Sequence, residues 1–168
     1  PMVELGQKVH AARKSFLEAF VPVFRQVYTE ISGGGEQAEI AYRSVFDDPN
    51  PAEVLAQARP RDLALGFSTV RVHKDDLRLT LDGYPVKNDG SQGQQKTCLT
   101  ALKLAQFRFM TRAKGEKPIL LLDDVFDKLD SSRVQYILSL VRDEAFGQIF
   151  LSDTHPERID TLMEGIPH

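Results

Sequence analysis

The sequence has no tryptophan, a single cysteine and no large excess of charge of either sign. Because a disulfide needs two cysteines, the presence of only one, Cys98, excludes an intrachain disulfide. A single cysteine also fits a protein of a reducing compartment. The formal charge of −3 and the isoelectric point near 5.8 mean that composition alone does not indicate nucleic-acid binding. No apolar stretch approaches the ~20 residues of a membrane span, and no basic-then-apolar signal pattern is present. We therefore expect a soluble cytoplasmic protein.

Two further absences concern binding chemistry. No Gly-x-x-x-x-Gly-Lys-Ser/Thr loop, the element that cradles nucleotide phosphates in many proteins, occurs in the 168 residues. Cysteine and histidine do not occur at zinc-ligand spacing. The chain begins at Pro1-Met2 and runs almost at once into a periodic helix without an obvious cap, so we expect a fragment of a longer protein. The hydrophobic content of 42% supports a core for one domain, or for one lobe with an appendage.

The first part of the chain is predicted to be mainly helical. Apolar residues recur at steps of three and four from Val3 to Ile31, which predicts one long helix, kinked or split at Pro22 and ended by Gly33–Gly35. The same spacing is compatible with a coiled-coil seam. Alternation predicts a strand over Glu39–Phe46, and a capping pattern predicts a helix from Pro51 to about Leu65.

Extended and helical patterns alternate in the second part. Phe67–His73 and Leu77–Leu81 are predicted as the strands of a hairpin, with its turn signal at Asp82-Gly83. The order of the remaining elements implies an α/β fold with a parallel sheet and helical cover. These elements are helices from about Gln92 to Ala113, from about Ser131 to Glu144 and after Pro156, with strands at Pro118–Asp123 and Gln148–Ser152. Leu99, Leu102, Phe109 and Met110 are predicted to face the core.

The segment Ser91–Lys96, at the start of a predicted helix, carries groups suited to an anion. Free N–H groups and the helix dipole favour negative charge at this end of a helix. Gly93 permits close approach of a phosphate to the backbone, Ser91 offers a hydroxyl, and Gln94 and Gln95 offer neutral donors. The structural alternative is a plain helix cap, because Ser91 and Gln94 also satisfy the capping-box pattern.

Asp123 and Asp124 follow an apolar run that predicts a buried strand. A carboxylate at the end of such a strand is costly unless a cation or hydrogen bonds compensate. Two acids in series suit a site in which the first holds Mg²⁺ through water and the second polarises an attacking water. An ordinary strand that ends in a solvated loop is the alternative.

Four segments together resemble one known family. Ser91–Lys96 resembles the signature motif of ABC-type ATPases, in the form found in the RecF family of DNA replication and repair proteins. His73–Leu77 resembles that family's His-Arg-Asp-Asp-Leu segment, Leu120–Val125 resembles its Walker B strand, and Phe126–Asp130 occupies the place of its D-loop. The resemblance is specific over residues 67–155 and loose over the first 66. We call Ser91–Lys96 the signature segment.

The resemblance implies an architecture and a set of site residues. Residues 67–168 would form the C-terminal half of an ABC-type ATPase head, and residues 1–66 a helical arm. The residues implied to bind the nucleotide are Ser91, Gly93, Gln94, Gln95, Lys96 and Asp130. Asp123 is implied to hold Mg²⁺ through water and Asp124 to be catalytic, with His155 or Asp153 as the switch residue that senses the γ-phosphate.

The resemblance also implies ligands and partners. These are ATP and Mg²⁺, an ATP-dependent homodimer, single-stranded and gapped duplex DNA, and recombination-mediator proteins, in replication, recombinational repair and the SOS response. The chain would be an ATPase only when completed by a half that carries the missing phosphate loop. The alternatives are another coiled-coil ABC ATPase, of the structural-maintenance or double-strand-break-repair type, and a non-catalytic dimerisation or arm module.

Overall fold

A computed structural model describes residues 2–142 and 146–152 of the chain. The chain divides into two compact units. The first unit comprises Pro1–Val21 and Glu39–Leu79, and the second comprises Pro22–Ala38 and Thr80–His168. The boundary between arm and head that the sequence predicts near residue 66 stays a prediction.

The long helix α1 spans Met2–Ser32 and contributes to both units. Pro22 lies inside it, so the prediction that the helix splits there is wrong, although the division between the two units falls at this proline. Proline removes one backbone hydrogen bond of a helix but does not prevent the flanking turns from continuing. The helix ends where Gly33 and Gly34 take positive φ angles of 75° and 86°, which glycine adopts without strain.

Strand β1 and helix α2 follow α1. Strand β1 covers Ala38–Arg43, shorter than predicted, because Ser44 caps a short 3-10 turn over Val45–Asp47. Helix α2 covers Pro51–Leu65, as predicted, and ends at Gly66 in the left-handed conformation.

A hairpin follows, but its first strand is not where the sequence placed it. Strands β2 and β3 cover Asp76–Leu81 and Tyr84–Pro85, and the sheet order is β1-β2-β3. The predicted turn at Asp82-Gly83 is confirmed, since both residues have positive φ and join the antiparallel pair. The predicted strand over Phe67–His73 is wrong. The Asp62 carboxylate accepts hydrogen bonds from the backbone N–H and the hydroxyl of Thr69, at 2.7 and 2.6 Å, which favours a local turn over a strand ladder.

The second unit contains the predicted parallel pair of strands. A short helix α3 at Val86–Asp89 precedes helix α4 at Gln92–Lys114, and helix α5 spans Ser131–Arg142. Strands β4 (Leu120–Leu122) and β5 (Ile149–Leu151) pair in parallel, as predicted.

The core of the second unit is built from one face of each helix and the inner face of this sheet. Leu99 of α4 is half exposed, so its predicted core position is wrong; the buried face of α4 includes Thr97, Ala101 and Leu104, and Leu99 lies on the other side of the helix. The buried side chains include Cys98, Ala101, Leu104, Phe107, Leu122, Phe126 and Ile137. Burial raises the pKa of the Cys98 thiol to about 12, which agrees with an inert core cysteine.

The outer face of the parallel pair is exposed. Leu121 pairs with Phe150 across β4 and β5, and both are more than half exposed, as is Ile119 beside them. The predicted helix after Pro156 lies outside the described residues. No helix in the described ranges is long and apolar enough to cross a membrane.

Candidate nucleotide site

Ser91 is the N-cap of the 23-residue helix α4 and forms a closed capping box with Gln94. The Gln94 backbone N–H donates to Ser91 Oγ at 3.2 Å, and the Ser91 backbone N–H donates to Gln94 Oε1 at 2.8 Å. Ser91 is exposed. The capping-box pattern is therefore confirmed, and the hydroxyl hydrogen of Ser91 is not used by this box.

Gly93 packs closely against the segment that follows β4. A Cβ atom at this position would lie 3.2 Å from the Lys128 carbonyl oxygen and 3.4 Å from Nη1 of Arg133. These distances are shorter than ordinary van der Waals contact, so a larger residue would disturb the packing of α4. Glycine at this position is therefore explained by packing, and it would also allow a ligand to approach the backbone closely. Beside it, Gln95 Nε2 donates to the Gly90 carbonyl at 3.0 Å.

Asp123 and Asp124, which we call the Walker B acids after the family segment that they resemble, lie at the carboxyl end of β4, next to the end of β5. The Ser152 hydroxyl donates to Asp123 Oδ1 and accepts from the Asp124 backbone N–H at 3.0 Å. Asp124 has a φ of 48°, in the left-handed region that Asp and Asn tolerate better than most residues. Ser152 thus orients both acids. Ser152 is not among the predicted site residues, although a polar residue directly after an apolar strand at a parallel sheet edge was a usable signal.

Lys96 connects the signature segment to the Walker B acids. Its Nζ lies 3.8 Å from Asp124 Oδ2, with both side chains partly buried. The other carboxylate oxygen of Asp124, Oδ1, is buried and has no hydrogen-bond partner in the part of the chain that the structure describes. The structure therefore brings Ser91–Lys96 and Asp123-Asp124 to one end of the second unit.

These acids fit a Mg²⁺ site that is completed by a bound nucleotide. Across the described ranges there is no group of three or more His, Cys, Asp or Glu residues that would hold a metal by itself. Mg²⁺ typically takes one or two carboxylates and keeps waters and substrate phosphate oxygens as its other ligands. The acidic pair and the unpartnered Asp124 oxygen suit that ligand set.

Asp130 caps helix α5. Its Oδ1 accepts hydrogen bonds from the Ser132 hydroxyl and from the Arg133 backbone N–H at 2.9 Å, and Arg133 Nε lies 3.3 Å from Oδ2. The side-chain bond from Ser132 and the backbone bond from Arg133 lower the pKa of Asp130. Its structural role as a cap is thus present, and its predicted contact with nucleotide stays a prediction.

The His73–Leu77 segment belongs to the first unit, where Asp75 is held by internal contacts. Arg13 Nη1 lies 2.7 Å from the Asp75 carboxylate and 2.6 Å from the Val72 carbonyl, and the Tyr42 hydroxyl donates to the same carboxylate oxygen. The Asp75 side chain is only 3% exposed. The Asp75 carboxylate is thus buried in an ion pair, whereas the Arg13 side chain remains 44% exposed. The candidate switch residues Asp153 and His155 lie outside the described residues.

Comparison with known proteins gives many close relatives. The chain is 47% identical over 165 residues to the DNA replication and repair protein RecF of Bacteroides thetaiotaomicron, which covers 98% of this chain and 45% of that protein. It is 45% identical over 161 residues to RecF of Flavobacterium johnsoniae, covering 96% of this chain and 45% of that protein. The chain thus spans slightly under half the length of these curated relatives. No family model matches the sequence.

Solved structures agree with these relatives. A structure of the recombination mediator protein RecF with ATP is 28% identical, with a TM-score of 0.73, over 92% of this chain and 43% of that chain. The Smc head domain of Pyrococcus furiosus, 14% identical with a TM-score of 0.57 over 96% of this chain and 33% of that chain, shares the fold. The order of motifs and these similarities agree, and the chain belongs to the RecF family, of which it represents a C-terminal portion.

Proposed function

We propose that this chain supplies the signature segment and the Walker B acids of an ATP-dependent, DNA-binding RecF-type protein of replication and recombinational repair. The observation that carries the proposal is the exposed Ser91 hydroxyl at the N-terminus of α4, beside the Lys96–Asp124 contact. The relatives of this chain are named DNA replication and repair protein RecF.

The signature segment suits a phosphate that arrives from outside this chain. The capping box occupies an acceptor position of Ser91 Oγ, which leaves the hydroxyl hydrogen to donate. The first N–H groups of a helix have no partner within it, and the helix dipole adds partial positive charge there. This end of α4 is proposed to cover the γ-phosphate of ATP held by a partner subunit, so that ATP drives homodimerisation.

The Walker B acids suit the hydrolytic step in this chain's own subunit. Bound Mg²⁺·ATP would supply the γ-phosphoryl group and its charge neutralisation. Asp123, oriented by Ser152, is proposed to hold the metal through water. Asp124 is proposed to accept a hydrogen bond from the attacking water through its unpartnered oxygen and so to orient it. Asp153 or His155 is proposed to sense the γ-phosphate.

The exposed apolar face of the two-stranded sheet supports completion by more polypeptide. Ile119, Leu121 and Phe150 are 60%, 63% and 53% exposed, although large apolar side chains on a sheet normally pack against a second layer. The relatives have more than twice the matched length. The remaining part of the protein is proposed to cover this face and to carry the phosphate loop that the sequence lacks.

We further propose that the full-length protein binds gapped and single-stranded DNA and acts with recombination-mediator proteins in the SOS response. Its proposed location is the cytoplasm. The solved structures of RecF belong, by their description, to the RecFOR pathway. No DNA-contacting residue is assigned within this chain.

The test compares Ser91→Arg with Asp123→Ala in the full-length protein by sedimentation with and without ATP. Ser91→Arg should leave ATP binding by the monomer nearly unchanged and abolish ATP-dependent dimerisation, because a bulky side chain would enter the space proposed for the partner's γ-phosphate. Asp123→Ala should instead weaken Mg²⁺-dependent ATP binding first.

Ser139→Arg is the matched control, because Ser139 is an exposed serine on α5 away from the signature segment. It should dimerise like the wild type. Normal ATP-dependent dimerisation of Ser91→Arg would show that Ser91 is a helix cap alone, and the signature assignment would fail.

A further inference from the structure

A chain of hydrogen bonds joins the end of α1 to the signature segment within the second unit. The Tyr28 hydroxyl donates to Glu36 Oε2 at 2.5 Å, and Gln94 Nε2 donates to Glu36 Oε1 at 2.6 Å. The same Gln94 side chain accepts from the Ser91 backbone N–H through Oε1. Glu36 follows the glycines that end α1 and belongs to none of the motifs identified in the sequence.

Glu36 decides which way the Gln94 amide faces. A carboxylate is an acceptor only, so the amide must turn its NH₂ group toward Glu36 and therefore its oxygen toward Ser91. If the amide turned over, its NH₂ group would face the Ser91 N–H, and two donors would oppose each other. The Ser91 N–H and Glu36 therefore require the same orientation of the amide, and the acceptor at Glu36 stabilises the closed capping box.

Tyr28 fixes the carboxylate in turn. The Tyr28 side chain is fully buried, and burial, together with its hydrogen bond to Glu36, raises the pKa of its hydroxyl. The hydroxyl therefore keeps its proton and remains a donor across the physiological pH range. Cys98 and Arg133 also act electrostatically on Tyr28.

We infer that Glu36 is a positioning residue for the signature segment: it fixes the Gln94 amide, which holds the capping box closed and the Ser91 hydroxyl directed outward for the partner's phosphate. The link to phosphate rests on the proposed function, whereas the link to the capping box does not. Tyr28 acts one step further away, by fixing Glu36.

The test measures hydrogen exchange and ATP-dependent dimerisation in the full-length protein. In Glu36→Ala, exchange of the Ser91 and Gln94 amides should quicken about fivefold to tenfold, the factor expected for losing one capping hydrogen bond. The ATP concentration that gives half-maximal dimerisation should rise by a similar factor. Glu36→Gln should restore both properties, because its amide oxygen can accept from Gln94 while its NH₂ group donates to Tyr28.

The matched control is Glu30→Ala, which removes a carboxylate of α1 that bonds α4 and α5 but not the signature segment. It should lower stability without quickening exchange at Ser91 and Gln94. Tyr28→Phe keeps the buried ring, removes the donor to Glu36, and should give a smaller increase in exchange than Glu36→Ala.

Unchanged exchange at Ser91 and Gln94 in Glu36→Ala would overturn the inference, as would equal quickening in Glu30→Ala or failure of Glu36→Gln to restore slow exchange. If exchange responds as expected but the wild-type protein does not dimerise with ATP, the positioning role stands and the proposed function fails.

Discussion

At the residue scale, the helix-cap and phosphate-binding interpretations of Ser91 describe one geometry. The capping box uses Ser91 Oγ as an acceptor, whereas a phosphate needs a donor, and a hydroxyl supplies both. The cap also fixes the hydroxyl at the positive end of α4. A capping-box pattern at a helix start therefore gives no evidence against a signature motif.

Asp124→Asn in the full-length protein should keep ATP binding and slow hydrolysis by roughly 10²-fold or more, the range typical for losing a general base or charge stabiliser. Asparagine tolerates the positive φ of this position, so the backbone should stay in place. The variant should therefore accumulate as a closed ATP-bound dimer. Phosphate release measures the rate of hydrolysis, and sedimentation measures the dimer.

Glu116→Gln is the control for that experiment, because Glu116 is an exposed carboxylate that precedes β4, whereas Asp124 follows it. It should hydrolyse ATP at nearly the wild-type rate. If Asp124→Asn hydrolysed ATP at the wild-type rate, the assignment of this carboxylate as catalytic would be wrong.

Several site contacts could not be predicted because they join residues far apart in sequence. Asp123 and Asp124 were predicted from the apolar run before them, yet Ser152, which bonds both, directly follows β5, 28 positions after Asp124. Glu36 lies 58 positions before Gln94, and no local pattern marks it. Periodicity identifies which residues start a helix or end a strand but not which side chains they meet.

At the scale of elements, local patterns predicted the helices better than the short strands. Helix α2 has its predicted bounds because Pro51 suits the first helical position and Gly66 takes the left-handed conformation that ends a helix, although Asn50 makes no side-chain cap hydrogen bond. Phe67–His73 had a strand pattern, but a hydrogen bond from Thr69 to the Asp62 side chain decided its conformation. Leu99 was placed inward by its apolar character, whereas the buried face of α4, which includes Ala101, Leu104 and Ala105, lies on the other side of the helix.

Glu30 holds three helices of the second unit together. Its carboxylate accepts from Arg108 of α4 at 2.8 Å, from Tyr136 of α5 and, within α1, from Gln26 at 2.9 Å. Burial alone would raise the pKa of Glu30, but the bonds from Tyr136, Arg108 and Gln26 outweigh it and lower the pKa below 4.5.

Glu30→Gln should reduce the free energy of unfolding by about 1–3 kcal/mol at neutral pH, the usual worth of hydrogen bonds to a charged group. A lowered folded-state pKa means that this stabilisation is complete above the unfolded pKa, near 4.5, and is lost as the pH falls through the folded value. The difference between wild type and variant should therefore shrink in acid. Denaturant unfolding followed by circular dichroism at neutral and acidic pH measures it.

Glu4→Gln is the control for that pH dependence. Glu4 pairs with Lys8 on the surface of α1, and both side chains are about 70% exposed. Its replacement should change stability by less than about 1 kcal/mol at either pH. A difference between wild type and Glu30→Gln that is independent of pH would show that the carboxylate charge of Glu30 is not what stabilises the three helices.

At the scale of the whole molecule, the chain carries the residues of only part of the proposed nucleotide site. The signature segment and Walker B acids are present, but the phosphate loop is absent from the sequence. The parallel sheet has two described strands and an exposed outer face at Leu121 and Phe150. Both features agree with a site that is assembled from separate parts of a longer chain.

The isolated 168-residue chain should therefore bind Mg²⁺·ATP no more tightly than the millimolar range, because no element in it encloses the α- and β-phosphates. Titration calorimetry measures this, with circular dichroism to verify that the isolated chain retains its helices and the full-length protein as the positive control. Full-length protein should give a clear titration under the same conditions, since its remaining part is proposed to supply the phosphate loop. A micromolar titration with the folded isolated chain would mean that these residues form a complete nucleotide site of another kind, and the division of the site between two parts of the protein would be wrong.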